Sequence, residues 1–211
     1  MTRASSFAGV ILAAGDSSRM GSDKALLPWS PQQAGQAPSN ETFLSAAIRS
    51  LSAATEFVVV VVGNNEAALA PIIYAQGASL VVNPDPSRGQ FSSLQVGLHE
   101  VLNHGRDAAM VTLVDRPPVS AAILQTLRDA FETAEQNIWA VVPEFSGKHG
   151  HPYLAGREMM EAFLRVPPTS IARDIEHAHQ KHIRYISVDD PLVVLNINTP
   201  EEYAGLRTVQ N

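Results

Sequence analysis

Cysteine is absent from the 211-residue chain. That excludes disulfides, a thiolate nucleophile and a zinc–sulfur centre, and makes a reducing cytoplasm the expected compartment. Basic residues are in deficit: 15 Lys and Arg stand against 21 Asp and Glu, a net charge of −6. A phosphate backbone wants a basic face, so nucleic acid is not expected as a partner. The deficit still leaves room for a local basic pocket around one nucleotide. Long apolar runs are missing too. None approaches the ~20 residues that span a bilayer, and Met1-Thr2-Arg3-Ala4-Ser5-Ser6 lacks the apolar core of a signal peptide. A membrane is therefore not expected either. Repeats and a strong domain boundary are also lacking, and residues 1–211 are expected to form a single domain.

What is present is an alternation of buried-strand and helix patterns. Apolar runs at Phe7–Ala14, Phe57–Val62, Leu80–Val82, Ala108–Val114 and Trp139–Val142 read as strands, the β-branched Phe57–Val62 as one covered on both faces. Between them, apolar residues recur at helical spacing, as in Phe43, Ala47, Ile48 and Leu51, or Ile123, Leu124, Leu127 and Phe131. Asn83–Phe91 breaks all periodicity, and a helix is expected from Ser92 or Ser93. Arg184–Val188 and Val193–Ile197 read as extended, and Thr199-Pro200 as the opening of a last helix. The fold class that follows is α/β, a doubly wound, mostly parallel Rossmann-like sheet with right-handed crossovers. The less regular C-terminal third predicts a mixed edge.

In such sheets a ligand sits beyond the carboxyl ends of the strands. The stretch after the first strand, Gly15-Asp16-Ser17-Ser18-Arg19-Met20-Gly21-Ser22-Asp23-Lys24, is small, polar and basic. Backbone N–H groups at such a turn suit phosphate oxygens, and Arg19 and Lys24 add charge on what reads as an exposed loop. Neither GxGxxG nor GxxxxGK[ST] is present, so an ordinary strand–loop junction is the alternative. Asp115 ends the fourth run and reads either as a Mg²⁺ ligand or as a turn residue. Asn196 and Asn198 offer a second oxygen or a helix cap. Gly147-Lys148-His149-Gly150-His151-Pro152 holds two imidazoles without further ligands beside them, which favours substrate contact over a metal site. His177, His179 and His182 read as a solvated face.

Five segments together resemble the nucleotidyltransferases of molybdenum cofactor biosynthesis, the cytidylyltransferases more than their guanylyltransferase relatives. They are LAAGDSSRMGSDKALLP (Leu12–Pro28), RGQFSSLQVGL (Arg88–Leu98), VDRPPV (Val114–Val119), GKHGHPYL (Gly147–Leu154) and NINTPEEY (Asn196–Tyr203). The resemblance covers about residues 7–205 and implies that family's sheet, Mg²⁺ as cofactor, and transfer of CMP from CTP to the phosphate of molybdopterin with release of pyrophosphate. It implies that Leu12, Ala13, Ala14 and Gly15 hold base and phosphates, Arg19 the outgoing pyrophosphate, and Lys24 the reacting phosphate. Ser93 with Gln90 would read the base, Asp115 and Asn198 would hold Mg²⁺, and Gly150 and His151 would border the acceptor. A molybdoenzyme or its chaperone would be a transient partner. Leu-Ala-Ala-Gly goes with cytidylyl transfer in that family, Leu-Ala-Gly-Gly with guanylyl transfer. The chain departs from the family at Val114, where Gly is usual, at Arg116, an added positive charge near the phosphates, and in a long Trp29–Asn40 excursion. The alternatives are guanylyl transfer to molybdopterin, transfer to a sugar, polyol or small-acid phosphate, or a nucleotide-binding assembly or sensor protein without turnover.

Overall fold

Six consecutive buried residues, FAGVIL, make β1 (Phe7–Leu12) the centre of the sheet rather than its edge. It pairs in parallel with β2 (Phe57–Val62) on one side and β4 (Ala108–Leu113) on the other. Outside β2 runs β3 (Ser79–Val82), also parallel. The computed structural model describes residues 5–15, 23–29 and 41–209. Beyond β4 the sheet turns mixed. There β7 (Tyr153–Gly156) is antiparallel to β4 and to β5 (Ala140–Phe145), while β8 (Ile183–Ser187) is parallel to β5. A short β6 (Lys148–His149) pairs with the end of β5, within what the sequence pattern presents as a loop. The mostly parallel sheet with an antiparallel part in the last third is the architecture the alternating pattern predicts.

Period-2 alternation sends each strand's side chains to two different cores. Phe7, Ile11, Val58, Val60 and Met110 face helices α1 (Phe43–Ser52), α2 (Glu66–Ala75) and α4 (Ala121–Glu132). Val10, Val59, Val61, Ala109 and Val111 face α3 (Gln90–Asn103), α5 (Arg157–Leu164) and α6 (Ala172–Ala178). Both faces are covered, as continuous β-branched runs require.

Two expectations are corrected. Helix α3 begins at Gln90 rather than Ser92 or Ser93, because Gly89 takes a positive φ of 96° and turns the chain straight into it. Val193–Ile197 is not a strand: Pro191–Val194 forms a 3-10 turn, with the Asp190 carboxylate accepting from the Leu192 N–H at 2.9 Å. Asp-Pro capping outcompetes the β-branched pair Val193-Val194. The last helix, α7 (Pro200–Val209), does open at Thr199-Pro200. Glu202 N–H donates to the Thr199 hydroxyl, and the Glu202 carboxylate accepts from the Thr199 N–H, a reciprocal cap. Ile197 and Leu206 pack on Phe43, and the Tyr203 hydroxyl donates to the Pro28 carbonyl at 2.8 Å. The chain's last helix is thereby tied to the segment that follows Lys24.

Candidate active site

The carboxyl ends of β1, β2, β3 and β4 bring their connecting segments to one rim, where a cavity of about 290 Å³ opens. Leu12, Ala14, Gly15 and Lys24 line one side of it. Gln90, Ser93, Asp115 and Asn198 line the rest, with Gly89, Leu113 and Val114 between them. Four segments widely separated in sequence meet here.

Lys24 is held where it is by its neighbours. Asp23 caps the 3-10 turn Lys24–Leu26 by accepting from the Ala25 N–H at 3.0 Å. Its other carboxylate oxygen accepts from Asn65 Nδ2 at 2.7 Å, and Asn65 also donates to the Ala13 carbonyl at 2.9 Å. One amide therefore fixes the exit of β1 and the start of the lysine turn together. Contrary to the exposed loop expected, the Lys24 side chain is only 14% exposed. Its Nζ lies 3.3 Å from Asp115 Oδ2 and donates to Asn198 Oδ1 at 3.1 Å. Asn196, with its amide set by the hydrogen-bond network, places Nδ2 3.3 Å from both Asp115 oxygens and accepts from Asn198 Nδ2 at 2.8 Å. The Ile197 N–H donates to the Asp115 carbonyl at 3.0 Å, which docks the Asn196–Asn198 segment on the end of β4.

The opposite wall is the start of α3. Its first-turn N–H groups and the helix dipole favour an anion at this rim. Ser93 is buried, and its hydroxyl accepts from Asn83 Nδ2 at 2.9 Å, while the same amide donates to Ser92 at 2.8 Å. The floor is tight: a Cβ on Gly63 would come within 2.7 Å of Pro86 and 3.0 Å of the Ala14 carbonyl. Only glycine lets the β2 exit approach Ala14 so closely.

Of the residues singled out by sequence, the cavity gathers Leu12, Ala14, Gly15, Lys24, Gln90, Ser93, Asp115 and Asn198. Ala13 stands apart, because its side chain joins the core under α1 and its N–H donates to the Val61 carbonyl. Arg19 lies outside the described residues, as do residues 30–40 of the excursion. Arg116 lines neither this cavity nor the next. It lines a small separate hollow with Pro117, Pro118 and Pro152, and its guanidinium donates to the Val193 carbonyl at 3.5 Å. Burial pushes it below its ordinary pKa, with the Asp115 carboxylate acting against that. Asn65 and Asn83 were not singled out by sequence, although an Asn following each strand was the available signal.

A second cavity, also about 290 Å³, adjoins the first and shares Leu12, Gln90 and Leu113 with it. Gly150 and His151 border this one, where the Gly150 N–H donates to the Pro143 carbonyl and the His151 N–H to the Val193 carbonyl. Burial, then the Arg116 charge, pushes the His151 imidazole down to about 3, so it is neutral at physiological pH. The unfolded chain takes up a proton there below pH ~6.5 while the fold does not, so stability falls as pH drops from ~6.5 toward 3. The melting temperature of His151→Asn is expected to decline less steeply than wild type's over that window. Parallel melting-against-pH curves would show that His151 is protonated in the fold. Outside both cavities, His182 stacks on Trp139 at 3.8 Å, with His179 also against that ring. These two are not the plain solvated face expected.

Among the described residues no helix is long and apolar enough to cross a membrane. The sequence model of the MobA-like NTP transferase domain matches residues 9–183. A probable molybdenum cofactor guanylyltransferase of Rhodopirellula baltica is 27% identical over 205 residues, covering 92% of this chain and 88% of the relative. The molybdenum cofactor cytidylyltransferase of Escherichia coli is 24% identical over 197 residues, covering 92% of each. Among solved structures, Rv0371c of Mycobacterium tuberculosis superposes with a TM-score of 0.78 at 25% identity, over 96% of this chain and 98% of that one. Its complex with manganese gives 0.72 at 22%, with the same coverage.

Proposed function

The chain belongs to the MobA-like NTP transferase domain family and is a nucleotidyltransferase, and from that premise we propose that it moves CMP from CTP to the phosphate of molybdopterin. An oxygen of the acceptor phosphate attacks the α-phosphorus in line. The bond from that phosphorus to the α,β-bridging oxygen breaks, and pyrophosphate leaves with the electron pair. Such chemistry asks for positioning and charge neutralisation, with little covalent help from protein. The observation that carries the proposal is the meeting of Lys24, Asp115 and Asn198 within 3.3 Å beside the start of α3.

In this reading the Gly15 turn and the α3 N-terminus receive the triphosphate. Lys24 neutralises the reacting phosphate, and Arg19 receives the departing pyrophosphate. Asp115 and Asn198 would hold Mg²⁺. Their oxygens already converge on one cationic atom, Lys24 Nζ, and both are the hard donors that Mg²⁺ takes. Among the described residues no cluster of three or more His, Cys, Asp or Glu could hold a metal, which suits an ion completed by substrate phosphates and water. The metal supplies charge neutralisation at the triphosphate. Ser93, fixed by Asn83, and Gln90 read the base. The second cavity takes the acceptor, with Gly150 and His151 at its border. One domain carries both substrates, and the product passes in the cytoplasm to a molybdoenzyme or its chaperone.

Ala14 is the ground for preferring cytosine. It lines the nucleotide cavity, and its Cβ and carbonyl are wedged against Gly63. A Cβ there narrows the base pocket against a purine and stiffens the backbone facing it. Guanylyl transfer is the second reading, favoured by the 27% identity to the Rhodopirellula baltica relative. Equimolar CTP and GTP competing for molybdopterin, with Mg²⁺, decide between them. Cytidylyl product is expected in excess by on the order of 10–10², since one methyl alone is worth only ~1–3 kcal/mol. Guanylyl product in excess would replace the first reading by the second. Pyrophosphate release only with a sugar, polyol or small-acid phosphate would remove molybdopterin as acceptor.

A further inference from the structure

The acceptor cavity contains polar groups that the protein itself leaves without partners. Glu176, from α6, lines it, and among the described residues no hydrogen-bond donor reaches its carboxylate. Burial raises its pKa above the ordinary carboxylate range, with His149, His177 and Arg173 acting against that. Tyr153 and Tyr185 line the same space as Glu176, and burial, then the Glu176 carboxylate, raises both phenols. His151 Nδ1 is buried there with no partner among the described residues. One wall carries a flat aromatic surface: the His149 and Tyr185 rings stack with centroids 4.0 Å apart and planes 15° from parallel. Leu94, Val111 and Val142 add apolar wall, and Gln90 and Arg173 are the other polar side chains of the lining.

Apolar walls and a stacked aromatic pair suit a flat heterocycle, and a bare carboxylate suits two parallel N–H donors on one edge of it. A sugar or polyol has neither feature. Resting on molybdopterin as acceptor, we propose that Glu176 reads the pyrimidine edge of the pterin, its two oxygens accepting from the 2-amino group and the N3–H. The ring then lies along the His149–Tyr185 wall. Because Leu12, Gln90 and Leu113 are common to both cavities, the acceptor's phosphate can reach the nucleotide rim from that seat.

Pterin and lumazine test this without turnover, because lumazine carries an oxo group where pterin carries the 2-amino group. Ring fluorescence is titrated with wild type and with Glu176→Gln. Wild type is expected to bind pterin on the order of 10–10²-fold more tightly than lumazine, the range expected when one charged partner of a hydrogen-bonded pair is lost. Glu176→Gln should bring the two within about threefold of each other while melting as wild type does. Equal binding of both rings by wild type, binding of neither, or undiminished discrimination by a folded Glu176→Gln overturns the assignment. Should Glu176→Gln not fold, the wild-type comparison still decides. A second readout is the KM for molybdopterin, expected to rise in Glu176→Gln with the KM for CTP unchanged. If pterin is discriminated but no CMP reaches molybdopterin, the transfer reading fails and the pterin seat stands. If transfer occurs without discrimination, the reverse holds.

Discussion

Lys24→Ala is expected to lower nucleotidyl transfer by on the order of 10²–10³ while leaving the melting temperature nearly unchanged, the range seen when one preorganised charge is removed from a site where negative charge develops. Two observations put the residue at the high end of usefulness. Its side chain is 14% exposed, so water screens the ammonium poorly, and Asn65 and Asp23 anchor the turn that carries it. Stability should barely respond. The ion pair to Asp115 is only partly buried, the carboxylate side chain being 23% exposed, and such pairs contribute about 0–1 kcal/mol. Asp115 also keeps Asn196 as a donor on both oxygens. Turnover and melting measured on the same preparation check this. Turnover within threefold of wild type would remove Lys24 from the reaction. A large fall in melting temperature would make it a structural residue instead.

The parallel half of the sheet was legible because it is buried on both faces, and such strands read as unbroken apolar runs. Phe57–Val62 is the plainest case, with five of its six residues buried. The strand-end segments were legible for the complementary reason: Gly15 and Asp115 interrupt strong patterns at the places where an α/β sheet opens, whereas Asn198 follows a run that forms no strand. What could not be read locally depends on partners far along the chain. Asn65 carries the turn of Lys24 across 42 residues, and Asn83 positions Ser93 only because α3 starts at Gln90. The burial of Lys24 is of the same kind, since its partners Asp115 and Asn198 lie 91 and 174 residues away. Arg116 and His182 misled for another reason. Long or flat polar side chains reach a backbone carbonyl or stack on a tryptophan as readily as they meet solvent, so their charge alone does not say where they point. Val193–Ile197 shows propensity losing to capping, with Asp190-Pro191 setting a turn where two valines suggested a strand.

Asp115→Asn is expected to separate metal from nucleotide. The substitution keeps the shape of the side chain. The backbone bond from the Ile197 N–H to the residue 115 carbonyl is untouched, so the segment bearing Asn198 should stay docked. What changes is one negative charge, a large share of what the protein offers an ion bound by few residues plus phosphates. Activity plotted against Mg²⁺ should therefore shift right by at least tenfold and plateau lower by on the order of 10². Binding of CTP without metal should move the other way or not at all. Asp115 lines the cavity proposed to receive the triphosphate, and removing a like charge there removes repulsion. A loss confined to the metal-dependent measurement separates a metal ligand from a residue that only shapes the site, since loss of shape would weaken binding with and without metal alike. An unshifted Mg²⁺ curve would leave Asp115 as the turn residue at the end of β4, where the Arg116 N–H closes on the Leu113 carbonyl at 3.1 Å. Manganese in place of magnesium should show the same displacement between wild type and variant, because the lost charge is felt by any divalent ion held through oxygen.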